Sequence, residues 1–379
     1  MRRIYFDNAA TTPMLPGVIE TIGEQMHKIY GNPSSIHHFG RVAKNEVESA
    51  RKSVANILGA SIGEVFFTSG GTEANNMALK CAVRDLGIRR VISSPIEHHC
   101  VLHSLQRLEK ESSLDLQHVK LDENGAPDLN DLEHLLTTSS SRTLVSLMHA
   151  NNETGVMIDL ERFGTLCRDN QAYFHSDTVQ TIGHHHFDLA QTSVDFITGS
   201  SHKFHGPKGV GFIYIKAGIG LSPFLDGGAQ ERNMRAGTEN ISGIVGTAKA
   251  LSLIHDQWDK RAQRIKNIRA YIQERIKDTL PGTTFNDAVG TSQLESILSV
   301  NFAPSAAADL LTFNLDIEGI SASGGSACAS GTENASHVMS AIKPDFVGTT
   351  IRFSFSGLNT IEEADFLIQK LSKILGTSK

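Results

Sequence analysis

Short apolar segments typical of buried strands recur along the chain, and polar or small residues follow each of them. These segments occupy residues 65–67, 91–92, 143–148, 172–174 and 194–197. Helical patterns separate several of them, for example over residues 72–83 and 128–136. Alternating strands and helices are typical of an α/β domain with a mostly parallel sheet. Ligands bind such sheets at the carboxyl ends of the strands, so the polar residues there are the first candidates for a site.

The chain has 379 residues, which is enough for two domains. We predict a large α/β domain over residues 13–255, and a smaller α+β domain formed by residues 1–12 together with residues 256–379. A charged amphipathic helix from Trp258 to Leu280, followed by Pro281 and Gly282, is predicted to connect the two.

Composition narrows the classes of partner and the compartment. The formal net charge is −6 without a basic block, which argues against nucleic acid and anionic membranes as partners. The apolar run from Ile241 to Ile254 is interrupted by Lys249 and is too short to span a bilayer. An acidic residue as early in the sequence as Asp7 is not typical of a secretory signal peptide. No C-x-x-C pair occurs among the four cysteines, so we expect a reducing cytoplasm; they are Cys81, Cys100, Cys167 and Cys328.

A glycine pair follows the first strand of the α/β pattern. Gly70 and Gly71 precede Thr72, which stands at the predicted N-terminus of a helix. The free N–H groups of a helix start bind anions, and glycines let a phosphate approach closely. The chain has neither a Walker loop nor a G-x-G-x-x-G motif here. The segment is therefore either a phosphate site or a capped strand-to-helix turn.

A lysine and an aspartate follow two later strands. Lys203 lies among Ser200, His202 and a Gly-Pro turn, and it is either a surface lysine or an amine that forms a Schiff base with a carbonyl cofactor. Asp177 is either a helix N-cap or the partner of a pyridine nitrogen. One strand unit separates the two residues, so we expect them on neighbouring strands.

Two further strand ends offer polar side chains. His98 stands at a strand-to-helix junction, and Asn151 is either a turn former or a ligand-binding amide. A metal site is an alternative, because histidines cluster at residues 98–99 and 184–186. Adjacent histidines point in different directions, whereas zinc needs spaced ligands, so we predict no metal. We expect His98, Asn151, Asp177 and Lys203 to meet at the carboxyl edge of the sheet.

One cysteine lies in a segment unlike the others. Residues 321–331 around Cys328 are serine, alanine and glycine, a composition typical of a mobile linker. We expect the mobile loop to cover about residues 321–335. Without apolar neighbours the thiol is either a bystander or a reactive group.

Motifs spread over nearly the whole chain resemble the cysteine desulfurases of the NifS/IscS type, in the class V aminotransferase-like branch of fold type I pyridoxal phosphate (PLP) enzymes. The matching blocks are Y-F-D-N-A-A-T-T from Tyr5, G-N-P-S-S from Gly31, F-T-S-G-G-T-E-A-N-N from Phe67, E-H from Glu97, N-N-E-T-G from Asn151, S-D-T-V-Q from Ser176, H-K-F-H-G-P-K-G from His202, G-G-A-Q-E-R-N-M-R-A-G-T-E-N from Gly227, G-S-A-C from Gly325 and I-R-F-S from Ile351. Small departures at Ser201, Phe204 and Ala229 remove no chemical group. The resemblance implies a fold type I PLP-dependent transferase whose large domain has a mostly parallel seven-stranded sheet.

The resemblance also implies how the cofactor is held. Lys203 matches the lysine that binds PLP covalently, Asp177 the partner of the pyridine nitrogen, and Gln180 the partner of the phenolic oxygen. His98 matches the histidine stacked on the ring. The matching phosphate ligands are Thr72, Ser200 and His202, together with Thr238 from the second subunit of a homodimer.

The implied reaction converts L-cysteine to L-alanine. Asn151 and Arg352 match the clamp on the substrate carboxylate, and Cys328 matches the nucleophile that takes the sulfur as a persulfide. An iron–sulfur scaffold or a tRNA or cofactor thiolation protein is then the expected sulfur acceptor. The alternatives are an aminotransferase or a selenocysteine lyase of the same fold. A non-catalytic binding protein would have no need of Lys203, Asp177 and Cys328 together.

Overall fold

The computed structural model describes residues 3–287, 292–324 and 336–376. The strands in these ranges are β1 (Ile4–Tyr5), β2 (Val65–Thr68), β3 (Arg90–Ser93), β4 (Asp115–His118), β5 (Thr143–Ser146), β6 (Tyr173–Asp177), β7 (Phe196–Ser200), β8 (Gly211–Ile215), β9 (Thr284–Phe285), β10 (Ile297–Phe302), β11 (Ile320–Ser321), β12 (Ser323–Gly324) and β13 (Thr349–Ser354). The helices there are α1 (Pro16–Lys28), α2 (His38–Leu58), α3 (Gly71–Asp85), α4 (His99–Ser112), α5 (Leu129–Thr137), α6 (Leu160–Asp169), α7 (Gln230–Asn233), α8 (Ile241–His255), α9 (Trp258–Thr279), α10 (Ala306–Asp309), α11 (Leu311–Ile317), α12 (His337–Ile342) and α13 (Ile361–Ile374).

The main sheet has seven strands in the order β2-β8-β7-β6-β5-β3-β4. Strand β8 is antiparallel to both β2 and β7, and the other neighbours in the sheet are parallel. The predicted α/β fold with a mostly parallel seven-stranded sheet is therefore confirmed. The carboxyl ends of β3, β5, β6 and β7 lie at one edge, which is where the polar residues of the sequence pattern are found.

Helices cover both faces of this sheet, because alternate side chains of each strand point to opposite faces. Val65 and Phe67 pack into one core cluster with helices α2, α6 and α8. Phe66 lies between them in sequence and packs into a second cluster with α3 and α4. Burial on both faces explains why these strands are apolar throughout rather than alternating.

A second, smaller sheet has the antiparallel order β12-β13-β10-β9, and β1 pairs with β11 in parallel. Its core contains Ile4 and Phe6 packed with isoleucines of α9 and with apolar residues of β10, β13 and α13. The division into residues 13–255 and residues 1–12 with 256–379 stays a prediction.

The segment after β1 connects the small sheet to the large one. The Asn8 side chain donates to the Ser354 carbonyl (2.9 Å), and the Thr12 backbone N–H donates to the His202 carbonyl (2.8 Å). This segment therefore lies directly against the turn that follows β7.

Among the helices of the described ranges, none has the length and apolar character needed to cross a membrane.

Candidate active site

Lys203 lies in a 3₁₀ turn over Ser201–Lys203, directly after β7. Its Nζ donates to the backbone carbonyls of Ala9 (2.6 Å) and Ala10 (3.0 Å). The Gln180 side chain donates to the same Ala9 carbonyl (3.0 Å). The structure thus brings Lys203 and Gln180 together around one carbonyl of the N-terminal segment.

Asp177 ends β6, and its side chain is almost completely buried. The Asn75 amide donates to Oδ2 (2.7 Å), and the Val179 backbone N–H donates to Oδ1 (2.9 Å). Each carboxylate oxygen therefore has one donor from the protein, and this fixes the orientation of the side chain.

His98 is the N-cap of α4 and accepts a hydrogen bond from the Cys100 backbone N–H at Nδ1 (3.2 Å). Burial lowers the pKa of His98; the nearby Asp177 carboxylate opposes this shift and the Lys203 ammonium adds to it. His98, Asp177 and Lys203 therefore lie close enough to interact electrostatically. As a neutral imidazole that accepts at Nδ1, His98 carries its proton on Nε2.

The glycine turn from β2 into α3 packs closely against Val179 and Ser200. A Cβ atom on Gly71 would lie 2.6 Å from Val179 Cγ2 and 3.4 Å from Ser200 Cβ. Thr72 lies in the first turn of α3 and is exposed. The His202 ring nitrogen Nδ1 lies 3.1 Å from the Thr11 hydroxyl oxygen. The glycine turn, Ser200 and the N-terminus of α3 thus lie together, and the N-cap Gly70 provides no side-chain hydrogen bond to the first turn of the helix, whose free N–H groups can bind a phosphate.

Arg352, on β13, is buried beside the loop that follows β5. Its Nη1 donates to the Asn152 carbonyl and its Nη2 to Asp7 Oδ1, each at 2.7 Å. Its Nε is buried without a partner in the described part of the chain. An arginine with a donor still available fits a site that binds a carboxylate.

Asn151 uses its amide within its own loop. The side-chain nitrogen donates to the Ile96 carbonyl (3.0 Å), and Oδ1 accepts from the backbone N–H groups of Glu153 and Thr154. These are the contacts of a turn former. Its predicted contact with a substrate stays a prediction.

One of the predicted residues lies elsewhere in the described structure. Thr238 is exposed, in a groove shared with Ser69 and Arg235, and not beside Lys203 of its own chain. Its predicted place in a partner's site stays a prediction. Cys328 lies outside the described residues.

Within the described residues, no group of three histidine, cysteine or acidic side chains is arranged to hold a metal.

Comparisons with known proteins identify the family. The model of the family "Aminotransferase class-V" matches residues 4–367. The chain belongs to this family. A protein named cysteine desulfurase IscS from Dictyoglomus turgidum is 37% identical over 378 residues, covering 99% of this chain and 95% of the relative.

Solved structures give the same result for the fold. A NifS-like protein superposes with a TM-score of 0.91 at 34% identity and covers 100% of both chains. A structure described as SspA in complex with cysteine has a TM-score of 0.78 at 28% identity, covering 94% of this chain and 100% of that one. This class-V chain is thus a member of the NifS/IscS-like branch.

Members of this branch are PLP-dependent, and the residues of this chain fit that cofactor. Lys203 offers an amine for the aldehyde, and Asp177 offers a fixed carboxylate for the ring nitrogen. The N-terminus of α3, which no side chain caps, offers N–H groups for the phosphate.

Several residues of this site were missed by the sequence analysis. Asn75 donates to Asp177, Cys100 contacts His98, and Asp7 accepts from Arg352. The signal for Asn75 was its spacing of three from Thr72, which places both on neighbouring positions of one helix face. Asp7 offered no local signal, because its contact joins residues 345 positions apart.

Proposed function

We propose that this chain is a PLP-dependent cysteine desulfurase that converts L-cysteine to L-alanine and retains the sulfur as a persulfide on Cys328. The observation that supports this most is the meeting of Lys203, Asp177 and His98 at one sheet edge, in a chain whose full-length relatives bear that name.

The residues divide the work of cofactor binding. Lys203 holds PLP through its amine, and Asp177 and Gln180 bind the ring nitrogen and phenolic oxygen. Thr72, Ser200 and His202 bind the phosphate, completed by Thr238 of a second subunit in a homodimer. When bound, PLP accepts the electrons that remain when the substrate α-carbon loses its proton.

The substrate is bound and deprotonated by this chain's own groups. Arg352 and Asn151 bind the L-cysteine carboxylate and orient the α-carbon. Lys203 Nζ removes the α-proton, and His98 donates or accepts a proton at Nε2. The SspA structure with cysteine supports the choice of substrate.

Cys328 then takes the sulfur. Its thiolate attacks the substrate Sγ, so a sulfur–sulfur bond forms while the substrate Cβ–S bond breaks and its electron pair stays with Cβ, which gains a proton. Together, L-cysteine and the thiol give L-alanine and a persulfide, and no external oxidant is needed. The persulfide passes to a sulfur acceptor, such as an iron–sulfur scaffold or a thiolation protein, in the cytoplasm.

The test is to incubate the purified protein with L-cysteine and a thiol reductant and to measure both products. We expect alanine and sulfide in equal amounts, and neither from Lys203→Ala. Amino transfer to an oxo acid without sulfide would instead establish an aminotransferase, which has no use for Cys328. The named relatives favour the desulfurase.

A further inference from the structure

A buried amide connects the candidate cofactor residues to the interior of the sheet. Asn75, on α3, is only 1% exposed. Its Nδ2 donates to Asp177 Oδ2 (2.7 Å), and its Oδ1 accepts from the Thr198 hydroxyl (3.0 Å). The His175 Nε2 lies 3.0 Å from the same Oδ1. The amide therefore has partners on both of its polar ends.

The residues behind Asn75 determine which way its amide faces. His175 is completely buried, and burial lowers its pKa to about 3, so its ring is neutral and has one proton. The Ser146 hydroxyl lies 2.9 Å from Nδ1 and can donate there, which leaves the proton on Nε2, aimed at Asn75. The reversed amide would set its oxygen against the Asp177 carboxylate, and two acceptors would repel.

The same amide nitrogen also reaches towards His98. Asn75 Nδ2 lies 3.4 Å from Cys100 Sγ, and that sulfur lies 3.0 Å from His98 Nδ1. One side chain thus contacts Asp177 directly and His98 through Cys100.

We propose that Asn75 is a positioning residue whose amide, oriented by His175 and Thr198, holds the Asp177 carboxylate in the one orientation that binds the cofactor. This inference rests on the proposed function, because it assumes that Asp177 faces PLP. It adds a residue that does not itself touch substrate or cofactor.

The test substitution is Asn75→Asp, which has nearly the same shape and replaces the donor with an acceptor. Asn76→Asp is the matched control: it makes the same charge change one residue further along α3, where the side chain contacts Thr72 and Ser104 instead. We expect Asn75→Asp to weaken PLP binding to the apo-protein by about tenfold or more at pH 8, as for loss of a hydrogen bond to a charged group. Asn76→Asp should stay within about twofold of wild type.

A pH series separates positioning from general damage. At low pH the introduced carboxyl group is protonated and can donate to Asp177, so PLP binding by Asn75→Asp should recover as the pH falls, relative to Asn76→Asp. The titratable groups around this position are Asp177, His175, Cys100, His98, Glu97 and Lys203. All of them are present in both variants, so a difference between the two pH profiles comes from the introduced carboxyl group and its coupling to Asp177.

Thr198→Val provides a second test should Asn75→Asp fail to fold. It removes one of the two donors to Asn75 Oδ1, and we expect PLP binding to weaken about threefold to tenfold. The inference alone would be overturned if Asn75→Asp bound PLP as tightly as Asn76→Asp, or, should Asn75→Asp not fold, if Thr198→Val did so. A wild-type protein that binds no PLP would overturn the proposed function, and the inference with it.

Discussion

Replacing Arg352 with lysine tests the proposed substrate clamp while keeping the positive charge. The guanidinium donates from Nη1 to the Asn152 carbonyl and from Nη2 to Asp7, and its buried Nε has no partner in the described ranges. One ammonium on a shorter side chain cannot reach both partners and also present a donor to a substrate. Arg352→Lys therefore loses at least one charge-assisted hydrogen bond to the substrate carboxylate.

The size of the effect follows from that loss. A hydrogen bond to a charged group contributes about 1.5–3 kcal/mol, which is about 10-fold to 150-fold in binding. We expect the KM for L-cysteine to rise by about this factor, with a smaller change in kcat, because the contact exists before the chemical step. The assay is sulfide release at increasing L-cysteine, with PLP content measured in parallel.

Arg269→Lys is the control for the loss of a buried arginine. Arg269, on α9, is buried to a similar depth, donates to the Ile297 carbonyl (3.1 Å) and pairs with Asp287. The Arg269→Lys variant should have a lower free energy of unfolding and an unchanged KM for L-cysteine. A KM for Arg352→Lys within twofold of wild type, or an equal rise for Arg269→Lys, would refute the clamp.

Two further substitutions test the electrostatics of the interior. Arg51→Met leaves the buried Glu231 carboxylate without the guanidinium that lies 2.6 Å from it. We expect this change to lower the free energy of unfolding, measured in urea, by about 3–5 kcal/mol, against less than about 0.5 kcal/mol for the exposed Arg107→Met. Equal losses in the two variants would contradict this prediction. Burial raises the pKa of Glu97 from 4.5 to about 8, so the folded state keeps a proton that the unfolded chain releases. Stability then falls as pH rises from about 4.5 to 8, by up to about 1.4 kcal/mol per pH unit, and Glu97→Gln should flatten that slope. An unchanged slope in thermal unfolding at several pH values would show that Glu97 is ionised in the folded state.

The sequence predicted the sheet edge well because it depends on a local pattern. Parallel strands that end in polar residues bring those residues together whatever the loops do, so Asp177, Lys203 and His98 could be placed from their strands. Fold and cofactor class followed from the motifs. Helix bounds follow less directly from the sequence: residues 306–315 have the pattern of one helix, but the structure has two helices there. They are separated at Leu310, whose φ and ψ of −102° and 14° are not helical.

Contacts made across the fold could not be predicted. The buried pair of Arg51 and Glu231 joins residues 180 positions apart, and no pattern near either residue indicates the other. Asp7 pairs with Arg352 because Asp7, just after β1, forms a bridge with Ser354 of β13, and nothing near Asp7 in the sequence indicates that partner. Such contacts depend on which helix face and which strand become neighbours, and this is decided by packing.

The most direct test of the central claim is Cys328→Ser, measured with the holoenzyme and L-cysteine, with Cys167→Ser as the control. Cys167 is buried in the core of the large sheet, so its thiol cannot serve the site. We predict that Cys328→Ser still changes the PLP absorbance when L-cysteine is added, yet releases neither alanine nor sulfide at a useful rate, while Cys167→Ser keeps nearly full activity. Full sulfide release by Cys328→Ser would contradict the proposed function.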